Sequence, residues 1–167
     1  LTAIISAIHF GGNQEKAIHF IKSHRYVPKM LDKSRFNRRL HKIGRLLYDL
    51  FNQVGSYFKM VSSELHYIID SFPVAVCDNI RIIKSKMIKG SKWRGYTASM
   101  RRYFYGVKVQ LLTTGSGLPI AFCFTPGKQA DVKSLEKIIA GLPAESSVYA
   151  DSAYTGYEIE DKTLMNK

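Results

Sequence analysis

The ten residues from Tyr67 to Val76, Tyr-Ile-Ile-Asp-Ser-Phe-Pro-Val-Ala-Val, are the stretch that most limits how this chain can fold. Ile68, Ile69, Val74 and Val76 favour a pleated, packed strand, yet Asp70, Ser71 and Pro73 interrupt the apolar run. A charged carboxylate at the end of a buried strand costs free energy unless a partner or a metal ion compensates it, and this points to a site at Asp70. The alternative is local: Asp70 starts a turn with Ser71 and Pro73.

The chain has 167 residues, enough for one domain with a real core, or a core plus a small helical extension. Nearly half of the residues are hydrophobic and no tract is of low complexity, so a folded chain is expected. Lys and Arg outnumber acids 25 to 13, for a formal charge of +12, and such a chain is drawn to polyanions. Nucleic acid is the leading partner. A membrane surface and an incidentally basic protein are the alternatives, and the clustering of charge has to decide. Cys77 and Cys123 lie far apart with no CxxC or Cys/His ligand spacing, as in proteins of a reducing compartment. Leu1 to Phe10 is apolar but meets Gly11-Gly12, too short a run to span a bilayer, and no basic region precedes it as in a signal peptide. The sequence does not begin with Met and is expected to be a fragment.

Two short helices are expected before residue 31, the second with Ala17, Ile18 and Ile21 at helical spacing. His9, His19 and His24 have no acid or Cys at a metal-site spacing and read as core or surface residues. Ser34 offers an N-cap, and Phe36, Leu40, Ile43, Leu47, Leu50, Val54 and Phe58 then recur every three or four positions, predicting one long helix. Its other face carries Arg35, Arg38, Arg39, Lys42 and Arg45, crowded into the N-terminal half where the helix dipole disfavours positive charge. A phosphate backbone would relieve that repulsion; a solvated face is the plainer reading.

From Asn79 to Ala130 there are ten Lys or Arg and no acid. The denser half interleaves Lys84, Lys86, Lys89, Lys92, Arg94, Arg101 and Arg102 with Trp93, Tyr96 and Tyr103, the cations and flat rings that nucleic-acid surfaces use. The aromatics could equally be core, and Tyr103 is expected there. Tyr103 to Thr113 and Leu118 to Thr125 read as a hairpin turning at Thr114 to Gly117. Asp131 then reads as the N-cap of a helix containing Leu135, Ile138 and Ile139, and Ser147 to Ala150 as a short strand delivering Asp151. The polar remainder to Lys167 resembles the start of another helix. Three strands, a helix and a strand, with acids on the first and fourth strands, is the order in which an RNase H-like mixed sheet presents metal ligands. In that α/β layout Asp70 and Asp151 become neighbours, and repelling carboxylates of this kind are held together by hard divalent cations.

Several segments in this order also resemble a known family: Ser34-Arg35-Phe36-Asn37-Arg38-Arg39-Leu40-His41, Ile69-Asp70-Ser71-Phe72-Pro73-Val74, Tyr103-Phe104-Tyr105-Gly106-Val107-Lys108-Val109 with Gly117-Leu118-Pro119, Thr125-Pro126-Gly127 leading to Asp131, and Tyr149-Ala150-Asp151-Ser152-Ala153-Tyr154. Together they are similar to DDE-type bacterial insertion-sequence transposases, most of all those of the insertion sequence 982 family, from about Ser34 to Tyr157. The resemblance implies a helical DNA-binding region over 1–62 and an RNase H-like catalytic core over 63–167. It implies Asp70 and Asp151 as the first and second catalytic, metal-binding acids, with Mg²⁺ or Mn²⁺ as cofactor. The implied partners are element ends, target DNA and a second copy of the chain in the active complex, within a bacterial cytoplasm and on the nucleoid when bound to DNA. Asp131 matches an acid that follows the Pro-Gly turn and reads as a structural cap.

The chain also departs from that pattern. Gln110 and Ala130 stand where the family has His, and the family's third acid, a Glu on a downstream helix, has no match before Lys167. Glu158, Glu160 and Asp161 lie too close to Asp151 to serve. The chain is therefore expected to be C-terminally truncated, to bind metal weakly and not to transpose alone. The rival readings are a DNA-binding remnant without chemistry and an RNase H-like nuclease using water as its only nucleophile.

Overall fold

The computed structural model describes residues 1–77 and 79–154. It divides into two compact units, Leu1–Leu50 and the chain from Phe51 onward. In the first unit, α1 (Thr2–Phe10) ends on Gly11 in the left-handed conformation, and α2 (Gln14–Ser23) starts at Asn13, whose Oδ1 accepts the Lys16 amide at 3.0 Å. Ala17 and Ile21, the apolar stripe of α2, are fully buried. His24 closes that helix: its Nδ1 lies 2.9 Å from the Phe20 carbonyl and its ring stacks against Tyr26. His9 and His19 are exposed.

The long helix expected from Arg35 to Phe58 is two helices. α3 (Lys33–Lys42) is capped by Asp32, not Ser34: Asp32 Oδ1 accepts the Arg35 amide at 2.9 Å. It stops at Ile43, and α4 (Gly44–Val61) begins at the next residue. Gly44 gives little helical preference where the chain breaks, while the three-to-four spacing of apolar residues runs through both helices and conceals the boundary.

The second unit is built on a five-stranded mixed sheet. The predicted central strand is β1 (His66–Cys77), paired antiparallel to β3 (Arg102–Thr114) along nearly its whole length. β3 forms the expected hairpin with β4 (Pro119–Pro126), through a turn in which Gly117 has φ +88°. A short strand that sequence reading missed, β2 (Arg94–Thr97), pairs with the start of β3. α5 (Val132–Ile139) crosses back, and β5 (Ser147–Ala150) lies parallel to β1. Strand order is thus β2-β3-β1-β5, with β4 also on β3.

Alternation on β1 divides the sheet into two faces. Tyr67 and Ile69 point inward and join Leu112, Ile120, Leu135, Ile138 and Tyr154 in the core, with Phe58 and Val148 packed against it. Ile68, Asp70, Phe72 and Val74 occupy the other, exposed face. Pro73 is tolerated because β5 pairs only as far as Ile69, and among the described residues the rest of β1 has no strand on that side. At Gly55 of α4 a side chain would collide with the Ile120 carbonyl, so the helix packs tightly against β4; at Gly106 a side chain would collide with the Val74 carbonyl of β1. Among the described residues no helix is long and apolar enough to cross a membrane. The C-terminal helix suggested by the sequence, with Glu158, Glu160 and Asp161, lies outside the described residues.

Gly106→Ala should cost about 2–3 kcal/mol, because the added methyl meets backbone across the β1–β3 ladder and cannot be accommodated by a rotamer change. Urea unfolding checks this; a cost under about 0.5 kcal/mol, the range of ordinary surface changes, would show that β1 and β3 are not so closely apposed.

Candidate active site

The turn reading of Asp70 is overturned by an unbroken strand through residues 66–77. Asp70 is not at a strand end either. It stands in mid-β1 at the point where β5 stops, since the last parallel pair is Ile69 with Ala150. The next residue on each strand is an aspartate. Asp70 and Asp151 are therefore side by side at the first position past the pairing, and both line one open groove with His66, Ile68 and Tyr149. Neither carboxylate is buried. Asp70 therefore carries no burial cost that a metal would have to offset, because only the neighbouring side chains of β1 turn into the core.

Each carboxylate is steadied by the serine that follows it. The Ser71 amide donates to Asp70 Oδ1 at 2.7 Å, and both the amide and the hydroxyl of Ser152 donate to Asp151 Oδ1, at 2.6 and 3.1 Å. Such local N–H···O⁻ bonds fix the rotamer of a charged group. Among the described residues no three His, Cys, Asp or Glu side chains converge as a metal-binding group.

Beneath this groove, on the core side, lies a polar network that sequence reading missed. Asp131 is 8% exposed, and its carboxylate accepts from Lys108 Nζ, from Gln110 Nε2 at 3.1 Å and from Ser71 Oγ at 3.1 Å. Gln110 is fully buried; its Nε2 also donates to the Asp131 carbonyl, and its Oε1 accepts from Ser134 Oγ at 2.7 Å and from Cys123 Sγ at 3.7 Å. Burial pushes the Cys123 thiol up, keeping its proton in place. The cap reading of Asp131 is corrected accordingly: it precedes α5 with helical dihedrals, and its side chain caps nothing. Alternation on β3 concealed the network: Val107, Val109 and Leu111 form the apolar face, yet the fold turns the opposite face, with Lys108, Gln110, Leu112 and Thr114, toward the core. Tyr154 enters the same core, 5% exposed, and among the described residues its hydroxyl makes no hydrogen bond of good geometry. Burial first, and the Asp131 carboxylate second, push that phenol up.

The basic residues fall in two places. In the first unit, Arg35 pairs with Asp32 at 3.4 Å, Arg38 Nε donates to the Ser34 carbonyl, and Arg45 sits 3.9 Å from Asp49. Arg39 and Lys42 are exposed in the last turn of α3. For Arg39 and Lys42 the helix dipole is thus favourable, because the break at Ile43 puts them at a helix C-terminus, while Arg35 and Arg45 stay in the first turns of α3 and α4, where it is not. In the second unit, Lys84, Lys86, Lys89, Lys92, Arg94, Arg101 and Arg102 are all exposed along two short 3₁₀ turns and the β2–β3 hairpin. Lys92 lies over the half-buried Trp93 ring at 5.2 Å. Tyr103, expected in the core, is 61% exposed.

The second unit therefore combines a mixed sheet, two exposed aspartates at the end of a parallel strand pair, and a basic segment without acids from Asn79 to Ala130. A family model described as a transposase DDE domain matches residues 62–164, and this chain belongs to that family. No curated protein and no solved structure gives a significant match. Membership establishes a transposase domain, and with it DNA as the general class of partner.

Asp131→Ala should destabilise the protein by about 3 kcal/mol or more, since it strands the Lys108 ammonium in the core, and the further change Lys108→Met should recover part of the loss. A loss of only about 1 kcal/mol, the worth of a helix cap, would count against the network.

Proposed function

We propose that the chain carries the catalytic carboxylates of a transposase of the insertion sequence 982 type, on an RNase H-like sheet, with residues 63–167 as the catalytic part and 1–62 as a helical DNA-binding part. The observation that supports this most is the register of β1 and β5, which makes Asp70 and Asp151 neighbours although eighty positions of sequence separate them.

The donors fit a hard divalent ion. Both are exposed carboxylates in an open groove, with the hydrogen bonds from Ser71 and Ser152 going to Oδ1 in each. Oxygen ligands of this kind suit Mg²⁺ or Mn²⁺. Asp70, with β3 on one side and the β5 end on the other, and Asp151 would be the residues that hold the metal. Such ions, when bound, would activate water and then a DNA 3′-hydroxyl for in-line attack on phosphodiesters. The rest belongs to the chain: Ser71 and Ser152 hold the carboxylates in place, Asp131 anchors Ser71 from below, and exposed cations hold the DNA backbone. Arg35, Arg38, Arg39, Lys42 and Arg45 form one proposed contact set, and the seven cations from Lys84 to Arg102 another.

Mn²⁺ titration followed by electron paramagnetic resonance tests the metal assignment. Asp70→Asn and Asp151→Asn should each weaken binding by about tenfold or more with the fold unchanged by circular dichroism. Equal affinity in wild type and both variants would overturn the assignment. For the first basic set, Arg38→Glu with Arg39→Glu should lower DNA affinity at low salt and reduce the slope of log K against log salt by about 2. Unchanged affinity would remove α3 from the DNA surface.

A further inference from the structure

The β2–β3 hairpin holds two aromatic rings where a folded protein gains little from them. Tyr96 and Tyr103 are direct cross-strand partners, with ring centroids 4.9 Å apart and planes tilted by 53°. Pairing of this kind steadies a hairpin, but it uses only the facing surfaces of the rings. Tyr96 is 52% exposed and Tyr103 is 61% exposed, so the outer surfaces lie in water.

Their surroundings are cationic. Arg94 lies two residues before Tyr96 on the same strand face, and Arg101 and Arg102 close the turn after β2. Two residues past Tyr103 on the same face of β3, Tyr105 is buried, with its hydroxyl 3.3 Å from the Gly90 carbonyl and 3.4 Å from that of Ile88. That contact straps the segment bearing Lys86, Lys89 and Lys92 to the face that presents the two tyrosines. No acidic residue lies between Asn79 and Ala130 to offset the charge.

We propose that Tyr96 and Tyr103 form a stacking platform for unpaired DNA bases, with the flanking Arg and Lys residues holding the phosphates. This platform rests on the DNA-binding reading given above and adds the form of DNA and the residues that select it. A side-chain ring can stack only on a base whose face is open, and within a duplex both faces are covered by neighbouring base pairs. The platform is therefore selective for single-stranded or frayed DNA over intact duplex.

The test is fluorescence anisotropy of the full chain with a labelled oligothymidine and with a blunt duplex, each over a range of salt. Tyr96→Val with Tyr103→Val keeps a β-prone cross-strand pair and removes both rings. Affinity for oligothymidine should fall by at least about tenfold, with the salt slope unchanged because no phosphate contact is lost, while duplex affinity moves by less than about twofold. Tyr96→Phe with Tyr103→Phe retains the rings and should bind oligothymidine like wild type, which separates stacking from hairpin stability. Wild-type affinity in the valine variant, or equal losses on both DNAs, would overturn the platform while leaving the broader DNA reading intact. Wild-type protein that binds neither DNA would overturn both.

Discussion

Parallel strands cannot be joined by a tight turn, so the pairing of β5 with β1 requires the chain between them to travel out and return across the sheet. Here the outward journey is β3 and β4, and the return is α5, whose Leu135 and Ile138 cover the inner face on the way. Only four residue pairs, from His66 with Ser147 to Ile69 with Ala150, complete the arrangement. The period of a strand is two, so sliding β5 by one residue would turn Val148 out of the core and Asp151 away from Asp70. Burial of Val148 and neighbourhood of the two carboxylates are thus enforced by one register.

The inner face adds a second tie. Ser71 has two jobs on opposite sides of β1: its amide holds the Asp70 carboxylate, and its hydroxyl donates to the buried Asp131. Asp131 in turn is bound by Lys108 and Gln110 from β3. A buried ion pair of this kind adds little net stability over an apolar core, but it is costly to break and allows few alternative arrangements. Its position directly behind Asp70 connects the stiffness of the core with the geometry of the groove.

Much of this could be read from the residues. Alternating apolar positions gave β1, β3 and β4, and the Leu135, Ile138, Ile139 pattern gave α5. Other features depend on tertiary context. The break at Gly44 was hidden because an apolar stripe continues smoothly across two consecutive helices. β2 is four residues long and lies in a cationic stretch, so its pattern could not be told from a loop. Exposure of Asp70 and Tyr103 was misjudged for one reason: a β-prone run does not say which of its two faces is covered. Asp131 sits where a cap would sit, and only the fold shows that Ser71, Lys108 and Gln110 converge on it.

The pairing of β1 with β5 can be tested by an engineered disulfide. Ile68 and Tyr149 are register partners on the exposed face, and cysteines at paired strand positions fall within disulfide reach. In a chain with Cys77 and Cys123 changed to Ser, Ile68→Cys and Tyr149→Cys should form an intramolecular disulfide under mild oxidation, read by gel mobility and thiol titration. Free thiols that persist under oxidant, while a control pair at Ile68 and Thr113 across β1 and β3 does crosslink, would contradict the register that brings Asp70 and Asp151 together.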